Sequence, residues 1–466
     1  MNPSANPENF LLGLHQITPE TIAQYDERIP RYTSYPTVPF WTTEFGPEQF
    51  QSHLIEKTEG AETPLSLYVH LPFCAKRCLF CACNVIITSK QTVADDYLDV
   101  LEKEIKLARK HYKGNGKVIQ LHLGGGTPNF LHHQQMDRLI SILESEFDFS
   151  PTAERSIEID PRVASPEDVH HLFTAQKFNR ISYGVQDLHD ETQAAIGREQ
   201  ACEITFRNVK AARDAGFTSV NIDLIYGLPM QTEASWAKTL EGVLELRPDR
   251  IALYNFAYLP ERLPHHQKLE EDQLPDRDLK VAMFMNAHDA FAANGWTFIG
   301  MDHYALASDG LAVALQNASL RRNFMGYTTL NGTDLLSFGV SSISDFQGAF
   351  AQNVKKLSTY KSMVEAGELP VERGLRLNQN DLIRRFCVES VMCNGYLEFN
   401  TPELKAIQQQ AQANLQRLEQ EGLLELTSTA LRVTLKGRVF LRNIAVVFDS
   451  YLQSPKNGKP MFSRAV

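Results

Sequence analysis

The middle of the chain alternates short β-rich runs with helical segments, and this alternation limits the fold more than any other feature. The runs are LSLYVHLP (65–72), VIQLHLG (118–124), RSIEID (155–160), RISYGVQ (180–186), SVNIDLIYG (219–227) and RIALYNFA (250–257). Helical segments such as DDYLDVLEKEIKLARKHY (95–112) separate most of them. Strands that alternate with helices form βαβ units, so we predict an α/β fold with a parallel sheet that makes a barrel or part of one.

The segments on either side of this region have a different character. Residues 1–60 contain RIPRYTSYPTVPF (28–40), whose prolines disfavour regular structure. After about residue 378 the pattern predicts three helices and two short strands, LLELT and ALRVT, as in a winged-helix module. We therefore predict an N-terminal extension that reaches the active site (1–60), a catalytic barrel with its own extension (61–375), and a mainly helical, winged-helix-like domain (376–466).

Net charge and hydropathy exclude several classes of protein. The formal net charge is −10, whereas a general nucleic-acid binder needs a basic face. The N-terminus, MNPSANPENFLLGLHQITPE, has no Lys or Arg before an apolar run and is not typical of a signal peptide. No run approaches the roughly 18 apolar residues of a membrane span. We expect a soluble cytoplasmic protein that binds neither nucleic acid nor membrane.

Four of the seven cysteines lie within CAKRCLFCAC (74–83). Cys74, Cys78 and Cys81 follow a C-x3-C-x2-C spacing, and Cys83 comes two residues later. A structural zinc site usually takes two separated cysteine pairs, and no second pair follows here. Three thiolates on one loop suit three corners of an iron–sulfur cube, and an open coordination position marks a catalytic metal.

Polar and glycine residues follow the successive β-rich runs. Cys74 comes after the first run, GGGTP (124–128) closes the second, and Glu158, Gln186 and Asp223 lie in or at the ends of the next three. The carboxyl ends of parallel strands are where such folds collect their chemistry. We therefore expect these residues to share one site with the cysteine loop.

The cysteine spacing, followed by GGGTP after the next strand, resembles the radical SAM superfamily over residues 65–257. This resemblance implies a partial (β/α)6 barrel and one [4Fe–4S] cluster held by Cys74, Cys78 and Cys81. The open iron would chelate S-adenosylmethionine, whose reductive cleavage gives a 5′-deoxyadenosyl radical that abstracts a hydrogen from substrate.

A narrower similarity runs from about residue 25 to the final FSRAV. It is carried by PRYTSYPT, YVHLPFCAKRCLFCACN, HLGGGTPNFL, SIEIDPR, GVQD, GREQ, NIDLIYGLPMQT, GMDHYA and RNFMGYTTL. These motifs are similar to the oxygen-independent coproporphyrinogen III oxidase family. The resemblance implies oxidative decarboxylation of two propionates of coproporphyrinogen III to vinyl groups, giving protoporphyrinogen IX. It also implies two S-adenosylmethionine molecules, an electron donor such as a flavodoxin or ferredoxin, and, by default, a monomer.

The family's cofactor residues can be placed on matching positions of this sequence. Four positions match residues at or beside the cluster-bound S-adenosylmethionine: Tyr68, Gly125, Glu158 and Arg198. Seven match further cofactor-lining positions, several of them at the second molecule: Phe80, Gly126, Thr127, Gln186, Asp223, Ala257 and Ile343. Glycines let a ligand approach the backbone, carboxylates accept hydrogen bonds from ribose hydroxyls or an amino group, and an arginine can grip a carboxylate in a bidentate fork.

Three further residues complete the prediction. Cys83 is expected to support the second cofactor or the chemistry and not to ligate iron. The substrate's carboxylates call for basic groups, for which Arg31 in PRYTSYPT and Arg322 in RRNFMGYTT are the candidates.

Two alternatives remain at this point. A related haem chaperone shares the scaffold but resembles C-x3-C-x2-C-x-F, whereas position 83 here is Cys and PRYTSYPT is present. A winged-helix regulator is disfavoured because ELKAIQQQAQANLQRLEQEG (403–422), its expected recognition segment, carries more acidic than basic residues. Both comparisons favour the enzyme.

Overall fold

All six predicted β-rich runs form strands of one sheet. The computed structural model describes residues 17–452 and Phe462, so the first 16 residues of the predicted extension and most of FSRAV lie outside the described residues. The strands of the described chain are β1 (Leu65–Leu71), β2 (Phe73–Cys74), β3 (Ile86–Ile87), β4 (Val118–Gly125), β5 (Phe149–Ile159), β6 (Arg180–Gln186), β7 (Ser219–Tyr226), β8 (Arg250–Asn255), β9 (Trp296–Gly300), β10 (His303–Leu306), β11 (Arg321–Asn323), β12 (Gly326–Thr328), β13 (Asp334–Phe338), β14 (Ile343–Phe346), β15 (Ala349–Asn353), β16 (Val371–Arg376), β17 (Tyr396–Glu398), β18 (Leu424–Leu426) and β19 (Ala430–Val433).

Helices follow most of the parallel strands and flank the sheet at both ends of the chain. They are α1 (Pro19–Tyr25), α2 (Pro47–Thr58), α3 (Thr92–His111), α4 (His133–Glu146), α5 (Pro166–Thr174), α6 (Asp190–Ala195), α7 (Cys202–Ala215), α8 (Glu233–Leu246), α9 (Arg277–Ala293), α10 (Gly310–Gln316), α11 (Leu357–Glu365), α12 (Gln379–Glu389), α13 (Pro402–Gln420) and α14 (Leu441–Ala445). Among the described residues, no helix is both long and apolar enough to cross a membrane.

The large sheet has a parallel centre and antiparallel margins. Its twelve strands run in the order β16-β15-β14-β13-β1-β4-β5-β6-β7-β8-β10-β9. Every pair from β13 through β1 to β8 is parallel, and the pairs beyond β13 and β8 are antiparallel. The predicted α/β class and βαβ arrangement are therefore confirmed, and the structure adds β13 as a seventh parallel strand.

Helix α3 shows why the outer face of the sheet is stable. Its buried positions Tyr97, Leu98, Leu101, Ile105 and Ala108 recur every three or four residues and form one apolar stripe. Burying a Leu or Ile side chain contributes about 1.5–3 kcal/mol, so such stripes hold the helices on the strands.

The inner face of the parallel strands is polar, in contrast to the outer face. Because side chains alternate along a strand, Glu154, Ser156 and Glu158 of β5 point to the same face, as do Asn221 and Asp223 of β7. These five side chains line one small internal cavity of about 140 Å³. Glu158 and Asp223 are the members nearest the carboxyl ends, where the cysteine loop lies.

The C-terminal region differs in detail from the prediction. Two helices, α12 and α13, precede the short strands instead of three, and β17 joins the hairpin in a sheet ordered β17-β19-β18. Gly395, with a φ of 61°, ends the first helical segment, and Thr401 caps the next one. These two breaks leave room for a three-residue strand only, which periodicity cannot reveal.

Candidate active site

The cysteine loop begins directly at the carboxyl end of β1. Cys74 ends β2, which pairs with β3, so the loop leaves and returns to the same place. The N–H of Thr88 donates to the carbonyl of Cys74 at 3.0 Å, and the N–H of Leu79 donates to Ile196 at 2.9 Å. The loop is therefore fixed at its base and near its middle.

The three spaced thiols face one cavity of about 720 Å³, which Cys83 also lines. The sulfur of Cys74 lies 3.3 Å from Thr127 Oγ1. The sulfur of Cys78 accepts from Arg198 Nη1 at 3.5 Å. The N–H of Cys83 donates to the sulfur of Cys81 at 3.4 Å. Each of the three sulfurs thus has a polar group within hydrogen-bond reach.

The donor set fits an iron–sulfur cluster better than a single metal ion. No three His, Cys, Asp or Glu side chains of the described residues converge closely enough to bind one ion. In a cubane cluster each thiolate binds a different iron, so Cys74, Cys78 and Cys81 need not point at one atom. Three thiols for four irons leave one corner for another ligand.

The hydrogen bond between Cys81 and Cys83 separates the roles of the two thiols. A side-chain hydrogen bond and the backbone N–H of Cys83 lower the pKa of Cys81, while the same side-chain hydrogen bond and burial raise the pKa of Cys83. These shifts favour Cys81 as the thiolate of the pair and Cys83 as the protonated donor, in agreement with the predicted roles of the two residues.

The glycine run packs too closely against its neighbours to tolerate side chains. A Cβ on Gly124 would lie 2.9 Å from Glu158 Oε1, and one on Gly126 would lie 2.7 Å from the carbonyl of Phe73. Gly125 has a φ of 116°, and a Cβ there would lie 2.6 Å from the ring of His70. The run therefore brings bare backbone to the cavity wall beside the cysteine loop.

Glu158 is held as a carboxylate. His122 Nε2 lies 3.2 Å from its Oε1, and the N–H of Gly125 donates to its Oε2 at 3.1 Å. Burial would raise the pKa of Glu158, but the hydrogen bonds from His122 and Gly125 outweigh burial and leave it below the ordinary value. This carboxylate can accept hydrogen bonds from a cationic or hydroxyl-bearing ligand.

Asp223 shares the polar inner face but titrates differently. Burial, and then the charge of Glu158, raise the pKa of Asp223 to about 7, although Asn221 Nδ2 donates to its Oδ1 at 2.9 Å. The site thus contains one carboxyl group, Glu158, that stays ionised at neutral pH and another, Asp223, whose protonation changes near neutral pH.

Two residues that the sequence analysis did not single out, Asp160 and Arg162, organise the base of the cysteine loop. Asp160 forms ion pairs with Arg162 at 2.6 Å and with Arg198 at 3.3 Å. Arg162 Nη2 also reaches the sulfur of Cys78 at 3.8 Å. Both belong to the motif SIEIDPR, and their position two and four residues after Glu158 is the sequence feature that could have identified them. The two guanidinium groups place positive charge beside the thiols.

The structure brings most of the predicted site residues together. Those that line the 720 Å³ cavity are Cys74, Cys78, Phe80, Cys81, Cys83, Gly125, Gly126, Thr127, Glu158, Gln186, Arg198 and Asp223. Three predicted cofactor residues, Tyr68, Ala257 and Ile343, lie outside its lining.

Each of those three residues has another environment. Tyr68 stacks on His122 with ring centroids 5.8 Å apart, and its hydroxyl lies 3.1 Å from His70 Nδ1. Tyr68 therefore contacts His122, the imidazole that lies against Glu158. Ala257 lines a second cavity, and Ile343 packs in a cluster around Trp41.

The two predicted substrate arginines lie near each other. Arg31 forms an ion pair with Asp302. Arg322 is 91% buried and stacks over the ring of Tyr327 at 4.7 Å, and its Nε and Nη1 have no hydrogen-bond partner among the described residues. Burial, and then repulsion from Arg322 and Arg31, lower the pKa of His303 to about 3. Two guanidinium groups thus flank one neutral imidazole.

Comparison with known proteins agrees with this site. Residues 68–243 match the radical SAM superfamily. The oxygen-independent coproporphyrinogen III oxidase of Salmonella typhimurium is 42% identical over 456 residues, which cover 96% of this chain and 97% of that protein. The enzyme of the same name from Escherichia coli K12 is 42% identical over 451 residues, with 96% and 97% covered.

A solved structure gives the same result in three dimensions. Coproporphyrinogen III oxidase from Escherichia coli, described as a radical SAM enzyme, superposes with a TM-score of 0.87 at 41% identity. The match covers 91% of this chain and 100% of the Escherichia coli chain. The chain therefore belongs to the oxygen-independent coproporphyrinogen III oxidase family of radical SAM enzymes.

Proposed function

We propose that this protein converts two propionate side chains of coproporphyrinogen III to vinyl groups, giving protoporphyrinogen IX and two CO2 without O2. The observation that carries the proposal is the single cavity that gathers three cluster thiols, Cys83, Glu158 and Asp223 at the carboxyl ends of the parallel strands. The substrate comes from the names of relatives that match almost the whole chain.

Radical SAM membership implies a [4Fe–4S] cluster and S-adenosylmethionine, which together supply a 5′-deoxyadenosyl radical when bound. Cys74, Cys78 and Cys81 would hold the cluster. For each propionate, one hydrogen atom would leave the β-carbon and end in 5′-deoxyadenosine, and the resulting substrate radical would pass one electron to an external one-electron acceptor as CO2 departs. The chain's own residues bind and orient both partners and exclude water from the radical.

The cofactor residues have roles that their environments support. Arg198 lies between the sulfur of Cys78 and the carbonyl of Gly184, to which its Nη2 donates at 2.7 Å, and it can also face a ligand carboxylate. Glu158 can accept from an amino group and Asp223 from a ribose hydroxyl. Phe80, Gly126, Thr127 and Gln186 line the rest of the cavity, where we propose a second S-adenosylmethionine with help from Ala257 and Ile343.

Arg31 and Arg322 are the proposed contacts for substrate carboxylates. A buried guanidinium that lacks a hydrogen-bond partner, such as Arg322, carries a desolvation cost that a ligand carboxylate would remove. Arg31 would exchange Asp302 for a propionate. A flavodoxin or ferredoxin would supply electrons to this protein, which we propose acts as a cytoplasmic monomer.

Anaerobic turnover tests the proposal. The protein is reconstituted with iron and sulfide, reduced with dithionite, and incubated with S-adenosylmethionine and coproporphyrinogen III. We expect protoporphyrinogen IX and 5′-deoxyadenosine, and equilibrium dialysis should find two S-adenosylmethionine molecules per chain. Stable haem binding without decarboxylation would overturn the proposal in favour of the chaperone, and binding of one S-adenosylmethionine would overturn the two-molecule part.

A further inference from the structure

A second cavity, of about 560 Å³, lies beside the carboxyl ends of β7 and β8. Tyr226 and Asn255 at those strand ends form part of its wall, together with the N-terminal turn of α9. The segment 22–31 and the segment 439–442 close it, so both ends of the described chain contribute. Of the predicted site residues, Arg31 and Ala257 line it.

The net charge of the side chains that line this cavity is positive, whereas the net charge of the protein is negative. Five basic side chains line it, against two acidic ones, Asp26 and Asp302. The basic residues are Arg28, Arg31, Arg277, Lys280 and Arg442. In a chain with a net charge of −10, this excess concentrates positive potential in one concave place. Such a cavity selects an anionic ligand.

The remaining lining is apolar and aromatic. Leu253, Phe256, Phe284 and Val281 contribute to the walls between the basic groups. A ligand that matches these walls has a large apolar body and carboxylates around its edge, because apolar walls bind hydrophobic surface and guanidinium groups bind carboxylates. A small inorganic anion would leave the apolar walls without a partner.

Arg31 connects this cavity to the inside of the barrel. Its guanidinium lies over the ring of Tyr254 at 5.8 Å, and Tyr254 lines the internal cavity that contains Glu158 and Asp223. Ala257, a predicted cofactor residue, lies in the wall of the second cavity. A ligand seated there therefore borders the reaction site.

We propose that this cavity holds the propionates of the porphyrinogen that are not reacting, while one propionate at a time extends toward the cofactors. The inference rests on the proposed function, since a substrate with four carboxylates presents up to three that need cationic partners outside the reaction centre. Arg277 and Lys280 on α9 bind the distal carboxylates. Arg31 binds nearer the barrel.

The test is the double variant Arg277→Gln/Lys280→Gln, studied as the reconstituted holoenzyme. We expect the KM for coproporphyrinogen III to rise about tenfold or more while kcat changes less than about twofold, because the lost charge pairs act on binding and not on the reacting carbon. Lys238→Gln, an exposed lysine on the neighbouring α8, is the matched control and should leave the KM unchanged. Cluster content and S-adenosylmethionine affinity should equal the wild type.

Binding of stable porphyrins separates this inference from the proposed function. Coproporphyrin III should quench protein fluorescence at lower concentration with wild type than with the double variant, and this difference should vanish for its tetramethyl ester. A wild type that binds but does not decarboxylate would refute the proposed function and leave the cavity assignment standing. An unchanged KM, or equal binding of the free acid by both proteins, would overturn the cavity assignment.

Discussion

At the scale of single residues, Cys83 separates this site from a simple cluster-binding loop. Its N–H donates to the sulfur of Cys81, and a side-chain hydrogen bond with Cys81 and burial raise the pKa of its thiol. It also faces the cavity that holds the other three cysteines. A protonated thiol in that place can act on the substrate radical or on the second cofactor.

Cys83→Ser should therefore keep the cluster and lose decarboxylation. We expect normal cluster absorbance and iron content, with a loss of vinyl product of at least about a hundredfold, because the hydroxyl keeps the size of the thiol but not its hydrogen-donor chemistry. Cys81→Ser is the matched control and should lose the cluster. Loss of the cluster in Cys83→Ser would show that Cys83 is an iron ligand.

We expect Asp223 to make the binding of S-adenosylmethionine depend on pH. Its pKa of about 7 means that the carboxyl group is protonated below neutral pH and ionised above it. If the ionised form accepts from S-adenosylmethionine, the affinity should increase as pH rises through about 7. Asp223→Asn should abolish this increase when binding is measured by equilibrium dialysis from about pH 6 to about pH 8. An unchanged pH profile in the variant would exclude Asp223 as its source.

The sequence was sufficient to predict the residues that lie at strand ends, because a period of two and a following turn fix where such a side chain points. It did not predict Asp160 and Arg162, since a charged pair after a strand is usually solvated. It also could not show that Arg322 is buried with its Nε and Nη1 lacking a hydrogen-bond partner in the described part of the chain, because the short hairpin of β11 and β12 carries no periodic signal.

At the scale of elements, a buried carboxyl group fastens the loop after β13 to helix α3. Glu104 Oε2 accepts from the N–H of Gly339 at 2.8 Å and from Tyr360 Oη at 2.5 Å. Its Oε1 accepts from Asn353 Nδ2 at 2.6 Å. Tyr97, about two turns of helix earlier, donates to the carbonyl of His70 at 2.8 Å. The two residues thus join the seventh parallel strand to the start of the cysteine loop.

Glu104 should make stability depend on pH. Burial raises its pKa from the ordinary 4.5 to about 7, so its contribution is complete below about pH 4.5 and is lost as pH rises through about 7. The loss is on the order of 3 kcal/mol. Glu104→Gln should reduce the fall in thermal midpoint between about pH 5 and about pH 8.

The control for Glu104→Gln is Asp96→Asn, an exposed acid on the same helix. It should retain the wild-type dependence of thermal midpoint on pH. Equal pH dependence in wild type and Glu104→Gln would mean that Glu104 is already ionised in the folded protein.

Elements of the central sheet were predictable and those at its margins were not. Each parallel strand is followed by a long segment before the next one, and this spacing is visible in the sequence. Strands β9 to β16 are three to six residues long, and all of them except β13 pair only with antiparallel neighbours. Runs of that length do not establish a period, so residues 260–375 gave no clear pattern.

At the scale of the whole molecule, the two ends of the described chain hold each other against the barrel. Arg442 Nε donates to the carbonyl of Pro30 at 3.0 Å, and its Nη2 donates to Ile29. Asn443 Nδ2 donates to the carbonyl of Tyr25 at 2.9 Å, and the ring of Tyr25 packs on Phe440 with centroids 4.8 Å apart. The N-terminal extension therefore forms part of the wall of the second cavity, although its irregular sequence carries no periodic pattern.

Arg442→Ala should release the N-terminal segment. Removing a buried donor leaves backbone carbonyls unsatisfied at a cost of about 1–3 kcal/mol each. We expect trypsin to cleave after Arg28 at least about tenfold faster than in wild type, as mass spectrometry of the fragments would show. Arg432→Ala, which removes an exposed arginine of β19, should not change the rate. Equal cleavage in both variants would contradict the proposed tether.

Transfer of deuterium from substrate to 5′-deoxyadenosine tests whether one cavity brings the cofactors to a propionate β-carbon. Coproporphyrinogen III with deuterium at the propionate β-carbons is turned over anaerobically, and 5′-deoxyadenosine is analysed by mass spectrometry. We expect one deuterium in each 5′-deoxyadenosine and two such molecules per protoporphyrinogen IX. Vinyl product with unlabelled 5′-deoxyadenosine, or cofactor cleavage without vinyl product, would contradict it.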